Sequence, residues 1–189
     1  MRAWSLFPQS TEPQQEEFLL LSFADRPANA GAPVYGECGG QYGVWNRFPD
    51  DPTQICQMSF VPDAIFGQGY ALRLEYDVDS PNPAYNGFWL KLNGADFTQY
   101  NTLNFFIRGD DKQGYSRRLK VELKDEDNSG QYVVRGISGK WQKISIPFSK
   151  FWKIHDWTNL VELVLVFDDI NSNPRVGTIY IDHITVSKE

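Results

Sequence analysis

The sequence predicts an all-β protein, a two-sheet antiparallel β-sandwich of the jelly-roll kind, on three observations. Short segments alternate strictly between apolar and polar residues, and Gly, Pro, Asn and Asp clusters bound them at roughly 8 to 12 residue spacing. No apolar stripe of 3.6-residue period runs long enough for a substantial helix.

In chain order, the first strand is expected at 54–60. At 70–78, Leu72, Leu74, Tyr76 and Val78 share one face, opposed by Arg73, Glu75 and Asp77. At 86–93, Phe88, Leu90 and Leu92 point inward against Trp89, Lys91 and Asn93. Leu103, Phe105 and Ile107 alternate with Asn104, Phe106 and Arg108 over 102–108, and Leu119, Val121 and Leu123 with Lys120, Glu122 and Lys124 over 118–124. Further strands fall at 131–137, 140–146, 162–167 and 178–186. The stretch 161–167 is apolar on both faces apart from Glu162, the mark of a central strand covered on both sides or lying under 148–157, which forms one helical turn. Asp, Asn, Ser and Gly at 110–114 and 125–130 supply tight turns.

The chain of 189 residues is long enough for one core that buries roughly 70% of the unfolded surface. Residues 1–17, MRAWSLFPQSTEPQQEE, are rich in Gln, Glu, Pro and Ser, and read as a flexible N-terminal tail before a single β-sandwich domain over 18–189. The tail holds no apolar stretch long enough for a secretory signal core. With 24 acidic and 18 basic residues the net charge is −6, and the charges are interspersed, which argues against nucleic acid as a partner. The longest apolar run falls far short of the ~20 residues of a membrane helix, so no membrane insertion is expected.

Cys38 and Cys56 have no further Cys or His at zinc-like spacing. They either close a disulfide loop worth about 3 kcal/mol, which would fix an exported location, or stay as buried thiols. An extracellular or periplasmic setting is favoured.

Asp125, Asp127, Ser129 and Gly130 match the first half of a calcium loop, but Gly136 stands where a bidentate Glu is required, leaving a plain hairpin turn. No nucleophile elbow, zincin or phosphate-loop pattern occurs, and neither His155 nor His183 has a nucleophile context. The outward faces of four alternating strands are more informative. They combine Arg73, Glu75, Trp89, Lys91, Phe106, Arg108, Lys120 and Glu122. Aromatic rings stack on the apolar C–H faces of sugars, and neighbouring charged groups bond the hydroxyls. The bland alternative is that Trp89 and Phe106 pack under a loop as satellite core. Trp45, Tyr85, Tyr100, Tyr115 and Trp152 stand near turn signals as candidates for a binding rim.

Four segments, LLSFAD at 20–25, YNGFWL at 85–90, WQKISIPF at 141–148 and GTIYIDHI at 177–184, occur in that order. Together they resemble the galactose-binding-like β-sandwich of carbohydrate-binding modules, nearest family 11, and of the related complex I intermediate-associated proteins. The resemblance covers nearly all of 19–187. It implies a non-catalytic module that holds a polysaccharide, β-glucan-like, on a concave sheet face and brings a protein partner or associated catalytic subunit to it. Tyr85 and Trp89 would stack on sugar rings, Arg73, Lys91 and Arg108 would donate to hydroxyls, and Glu75 and Glu122 would accept from them. These seven positions come from face alternation rather than from the family motif. The resemblance also implies a structural calcium at Asp25 and Asp182, although Ser22 and His183 depart from the acidic or Asn residues usual there. A protein-interaction or assembly-factor module is the alternative function, and a polysaccharide-active enzyme the third.

Overall fold

Alternation gives each strand one apolar face, and the chain buries those faces by laying two sheets against each other. The structure, a computed structural model, describes residues 17–23, 36, 38–67 and 69–188. Residues 1–16 of the expected tail lie outside the described residues, and Glu17 begins the first strand.

The strands are β1 (Glu17–Leu21), β2 (Tyr42–Asn46), β3 (Ile55–Val61), β4 (Ala71–Asp77), β5 (Tyr85–Ala95), β6 (Thr102–Gly109), β7 (Arg118–Lys124), β8 (Ser129–Arg135), β9 (Gln142–Pro147), β10 (Leu160–Asp168) and β11 (Val176–Ser187). One sheet has the order β3-β4-β11-β6-β9 with β1 added along β11, and the other has the order β2-β5-β10-β7-β8. Every pairing is antiparallel. From β4 to β7, successive strands enter opposite sheets.

Leu72, Leu74, Leu103, Phe105 and Ile107 of the first sheet meet Phe88, Leu90, Val121, Leu163 and Leu165 of the second in one core, each at most 1% exposed. Tyr76 and Phe167 stack across the core at 4.0 Å. The Tyr76 hydroxyl accepts the Ser116 N–H (2.6 Å) and donates to the Pro174 carbonyl (3.1 Å), so its polar end is satisfied where burial raises its pKa. In β11, His183 takes φ +51° at a break in register between Asp182 and Thr185. The first half of β11 pairs with β4 and the second half with β1, so this bulge passes the strand from one neighbour to the next.

Residues 148–157 contain a 3-10 turn at Phe148–Lys150. The carboxylate of Asp125 accepts the N–H groups of Asp127 and Asn128 in the β7–β8 hairpin and those of His155 and Asp156, which fastens the segment to the hairpin. Of the two readings of the cysteines, the structure holds the free thiols. Burial pushes the Cys56 thiol up to about 12, and the Cys38 Sγ donates to the Lys91 carbonyl at 3.4 Å.

Candidate functional site

The outer face of the sheet β2-β5-β10-β7-β8 carries a cleft of about 480 Å³. Its floor is β10, the middle strand, whose outward Val164 and Val166 are each 3% exposed. The expectation of a doubly covered strand at 161–167 is met, and the cover is the cleft's own flanking side chains.

Cross-strand register builds the walls. Trp89 on β5 and Glu122 on β7 stand opposite Val164, while Lys91 and Lys124 stand opposite Glu162. Trp45 on β2 and Tyr85 on β5 continue the aromatic side, their rings edge to face at 6.2 Å. Tyr85 and Trp89 are four residues apart on one strand, about 13 Å, and β5 lies two strand spacings, about 10 Å, from β7. One wall is therefore aromatic with Lys91 beside it, the opposite wall is charged, and the floor is valine apart from Glu162.

The charges are internally paired. The Lys91 and Lys124 ammonium groups donate to the two oxygens of Glu162 at 2.5 and 2.6 Å. Burial acts to raise the Glu162 carboxyl, but both lysines outweigh it and hold the group below its ordinary value. Lys120 lies 3.5 Å from Glu122 and 3.3 Å from Asp168. Asp168 is likewise held low, as the Asn171 hydrogen bonds and Lys120 overcome its burial. Beside the aromatic wall, Lys91 Nζ is 5.6 Å from the centre of the Trp89 ring, and Arg47 lies 5.0 Å over Tyr85. The Trp45 Nε1 is buried with no hydrogen-bond partner among the described residues.

The seven expected ligand residues do not share this face. Tyr85, Trp89, Lys91 and Glu122 line the cleft, whereas Arg73, Glu75 and Arg108 lie on the outer face of the other sheet. Alternation tells inward from outward positions but not which sheet a strand joins, and β4 and β6 join the sheet opposite β5 and β7. Arg73 pairs with Glu75, and Arg108 pairs with Asp63 while stacking on Tyr180 at 3.8 Å. The Tyr180 hydroxyl donates to Asp110 at 2.6 Å. Phe106 packs against Phe66 and His183 on this same opposite face.

Trp45, Lys120, Lys124, Glu162, Val164 and Val166 complete the cleft and are not among the seven expected ligand residues. A signal for Glu162 was present, because a lone charge inside a central apolar strand must be paired. Of the expected calcium ligands, Asp25 lies outside the described residues. Asp182 is 4% exposed, and burial, its largest influence, raises its carboxyl. Its Oδ2 accepts the Ile65 N–H at 3.1 Å and its Oδ1 the His183 N–H at 2.8 Å. Both oxygens thus serve backbone, and no cluster of three or more His, Cys, Asp or Glu suited to a metal occurs among the described residues.

The family 11 carbohydrate-binding module of a cellulosomal cellulase of Clostridium thermocellum is similar in structure, with TM-score 0.64 and 15% identity over 92% of this chain and 95% of that one. A family 11 module of the same organism, solved in complex with a β-1,3-1,4-mixed-linked tetrasaccharide, has TM-score 0.59 and 16% identity over 78% of this chain and 88% of that one. An exo-β-agarase has TM-score 0.61 and 12% identity over 91% of this chain and 25% of that one. At these identities the likeness establishes the sandwich fold. No curated protein matches the sequence. Residues 43–188, which carry β3 to β11, all of β2 but Tyr42, and every cleft residue, match the family described as Carbohydrate binding domain 30, and the chain belongs to that family.

Proposed function

We propose that this carbohydrate-binding domain holds a β-glucan-like chain in the cleft and breaks no bond. The observation that carries the reading is the pairing of an aromatic wall with a charged wall across a valine floor. Pyranose rings with equatorial substituents present both kinds of surface, apolar C–H faces to the indole and phenol rings and hydroxyl edges to the charges. Trp89, Tyr85 and Trp45 stack on sugar rings, Lys91 donates to hydroxyls and Glu122 accepts from them. The mixed-linked tetrasaccharide of the family 11 module supports the choice of β-glucan.

The carboxylates of the cleft are suited to binding. Glycoside hydrolysis needs one carboxylic acid with a raised pKa, whereas Glu162 is held low between two lysines.

Native affinity electrophoresis against soluble β-1,3-1,4-glucan, cellulose derivatives, xylan and galactan, with assay of reducing ends, tests the proposal. Retardation by the β-glucan without release of reducing ends is expected. Retardation by none of the glycans would refute it. A chelator arm addresses calcium at Asp25 and Asp182. Unchanged binding and melting with chelator would leave Asp182 as a backbone acceptor only, whereas a lower melting temperature would assign a cation.

A further inference from the structure

Trp89 offers a sugar a flat surface only if its indole lies along the sheet, and the residue beside it on β2 decides whether it can. Gly43 stands directly opposite Trp89 in the β2–β5 register. A Cβ at position 43 would lie 3.1 Å from the Trp89 Cζ2, 3.3 Å from Cε2 and 3.4 Å from Nε1. The indole therefore occupies the space that any side chain at 43 would fill.

The backbone does not ask for glycine at this position. Gly43 is absent from the glycines with left-handed φ, unlike Gly39 and Gly94 nearby. Glycine weakens the interior of a strand, and β2 is an edge strand where β-branched residues would pack well. The missing side chain serves the indole rather than the turn or the fold.

From this we infer that Gly43 is a positioning residue for glycan binding, acting through Trp89: it is the recess in which the indole lies down to present its face to the cleft. The inference rests on the proposed role of Trp89 in the β-glucan cleft. A methyl at 43 would require the ring to give by a few tenths of an ångström, and a branched side chain would displace it further from the place it holds beside Gly43.

The test compares the native protein with Gly43→Ala, Gly43→Val, Trp89→Ala and the double variant Gly43→Val/Trp89→Ala. Each is titrated calorimetrically with a β-1,3-1,4-linked tetrasaccharide and melted thermally. Gly43→Ala is expected to weaken binding a few-fold, and Gly43→Val on the order of tenfold, the scale of one lost stacking contact. Gly43→Val should melt no lower than the native protein, because valine favours the strand. In the Trp89→Ala background the valine should change affinity no further, since residues acting through one contact are not additive.

Native-like binding by Gly43→Val beside weakened binding by Trp89→Ala would overturn the inference and leave the cleft reading standing. An equal loss from Gly43→Val in both backgrounds would also overturn it. Native-like binding by Trp89→Ala would remove the role of Trp89 itself, and the inference with it. Should valine prevent folding, the graded loss in Gly43→Ala and its disappearance without Trp89 decide the same question.

Discussion

Glu162→Gln is the sharpest probe of how the cleft is held together. The Glu162 side chain is 14% exposed and accepts one charge-assisted hydrogen bond on each oxygen, from Lys91 at 2.5 Å and Lys124 at 2.6 Å. Glutamine keeps the volume but offers one acceptor and one donor, so at least one ammonium loses its partner and faces an N–H₂ group. Hydrogen bonds to charged groups are worth about 1.5 to 3 kcal/mol each. The lysine side chains are 50% and 35% exposed, and water recovers much of that loss. The expected destabilisation is about 1 to 2 kcal/mol at pH 7, or roughly 2 to 8 °C in Tm for a domain of this size.

The pH dependence supplies the sign. The folded carboxyl titrates below its ordinary value, so its contribution is full above the ordinary carboxylate range and fades as pH falls through the folded pKa. The gap in Tm between the native protein and Glu162→Gln, measured by circular dichroism from pH 7 down to pH 2.5, should narrow at the acid end. A gap that is constant across that range, or absent at pH 7, would refute the argument that the charge of Glu162 ties the Lys91 and Lys124 walls to the floor.

Other substitutions separate the two outer faces and the core. Trp89→Ala should lose about 1 to 3 kcal/mol of glycan binding, as for a central aromatic contact, while Arg108→Ala, on the other sheet, should bind β-glucan as the native protein does. A titration by calorimetry checks both. Tyr76→Phe should cost about 1 to 3 kcal/mol in denaturant unfolding, because it leaves the Ser116 N–H buried without its acceptor. In the folded protein an aromatic disulfide reagent should modify Cys38 quickly and Cys56 only on unfolding, as Cys56 is 2% exposed with its thiol pushed up to about 12. Two fast thiols would contradict that burial.

Strand identity was largely legible, since β4 to β7 alternate in sequence and burial follows that alternation through β7, most of β4, the middle of β5 and the second half of β6, whereas β11 is buried on both faces nearly throughout. β2 was not, because Gly39, Gly40 and Gly43 around Tyr42 and Trp45 look like a turn. β1 reads EFLLL, a strand without alternation. The cleft was legible in half. Tyr85, Trp89, Lys91 and Glu122 stood out as aromatic or charged residues on polar strand faces, and they come together. Arg73, Glu75 and Arg108 have the same local pattern, and only the pairing of strands into sheets sets them apart. Sheet membership depends on contacts across the whole chain, so no window of alternation can contain it.

The alternation of β4 to β7 between the sheets bears on how the cleft comes into being. Gly43 and Trp45, Tyr85 to Lys91, Lys120 to Lys124, and Glu162 to Val166 become neighbours only after strands of the opposite sheet have been threaded between them. A half-assembled chain offers isolated aromatic residues but no surface against which a glycan could lie. Recognition is thereby an all-or-none property of the closed sandwich. Ligand energy is drawn only by finished molecules, and a bound polysaccharide acts as a clasp on the non-local pairings that join β2, β5, β10 and β7.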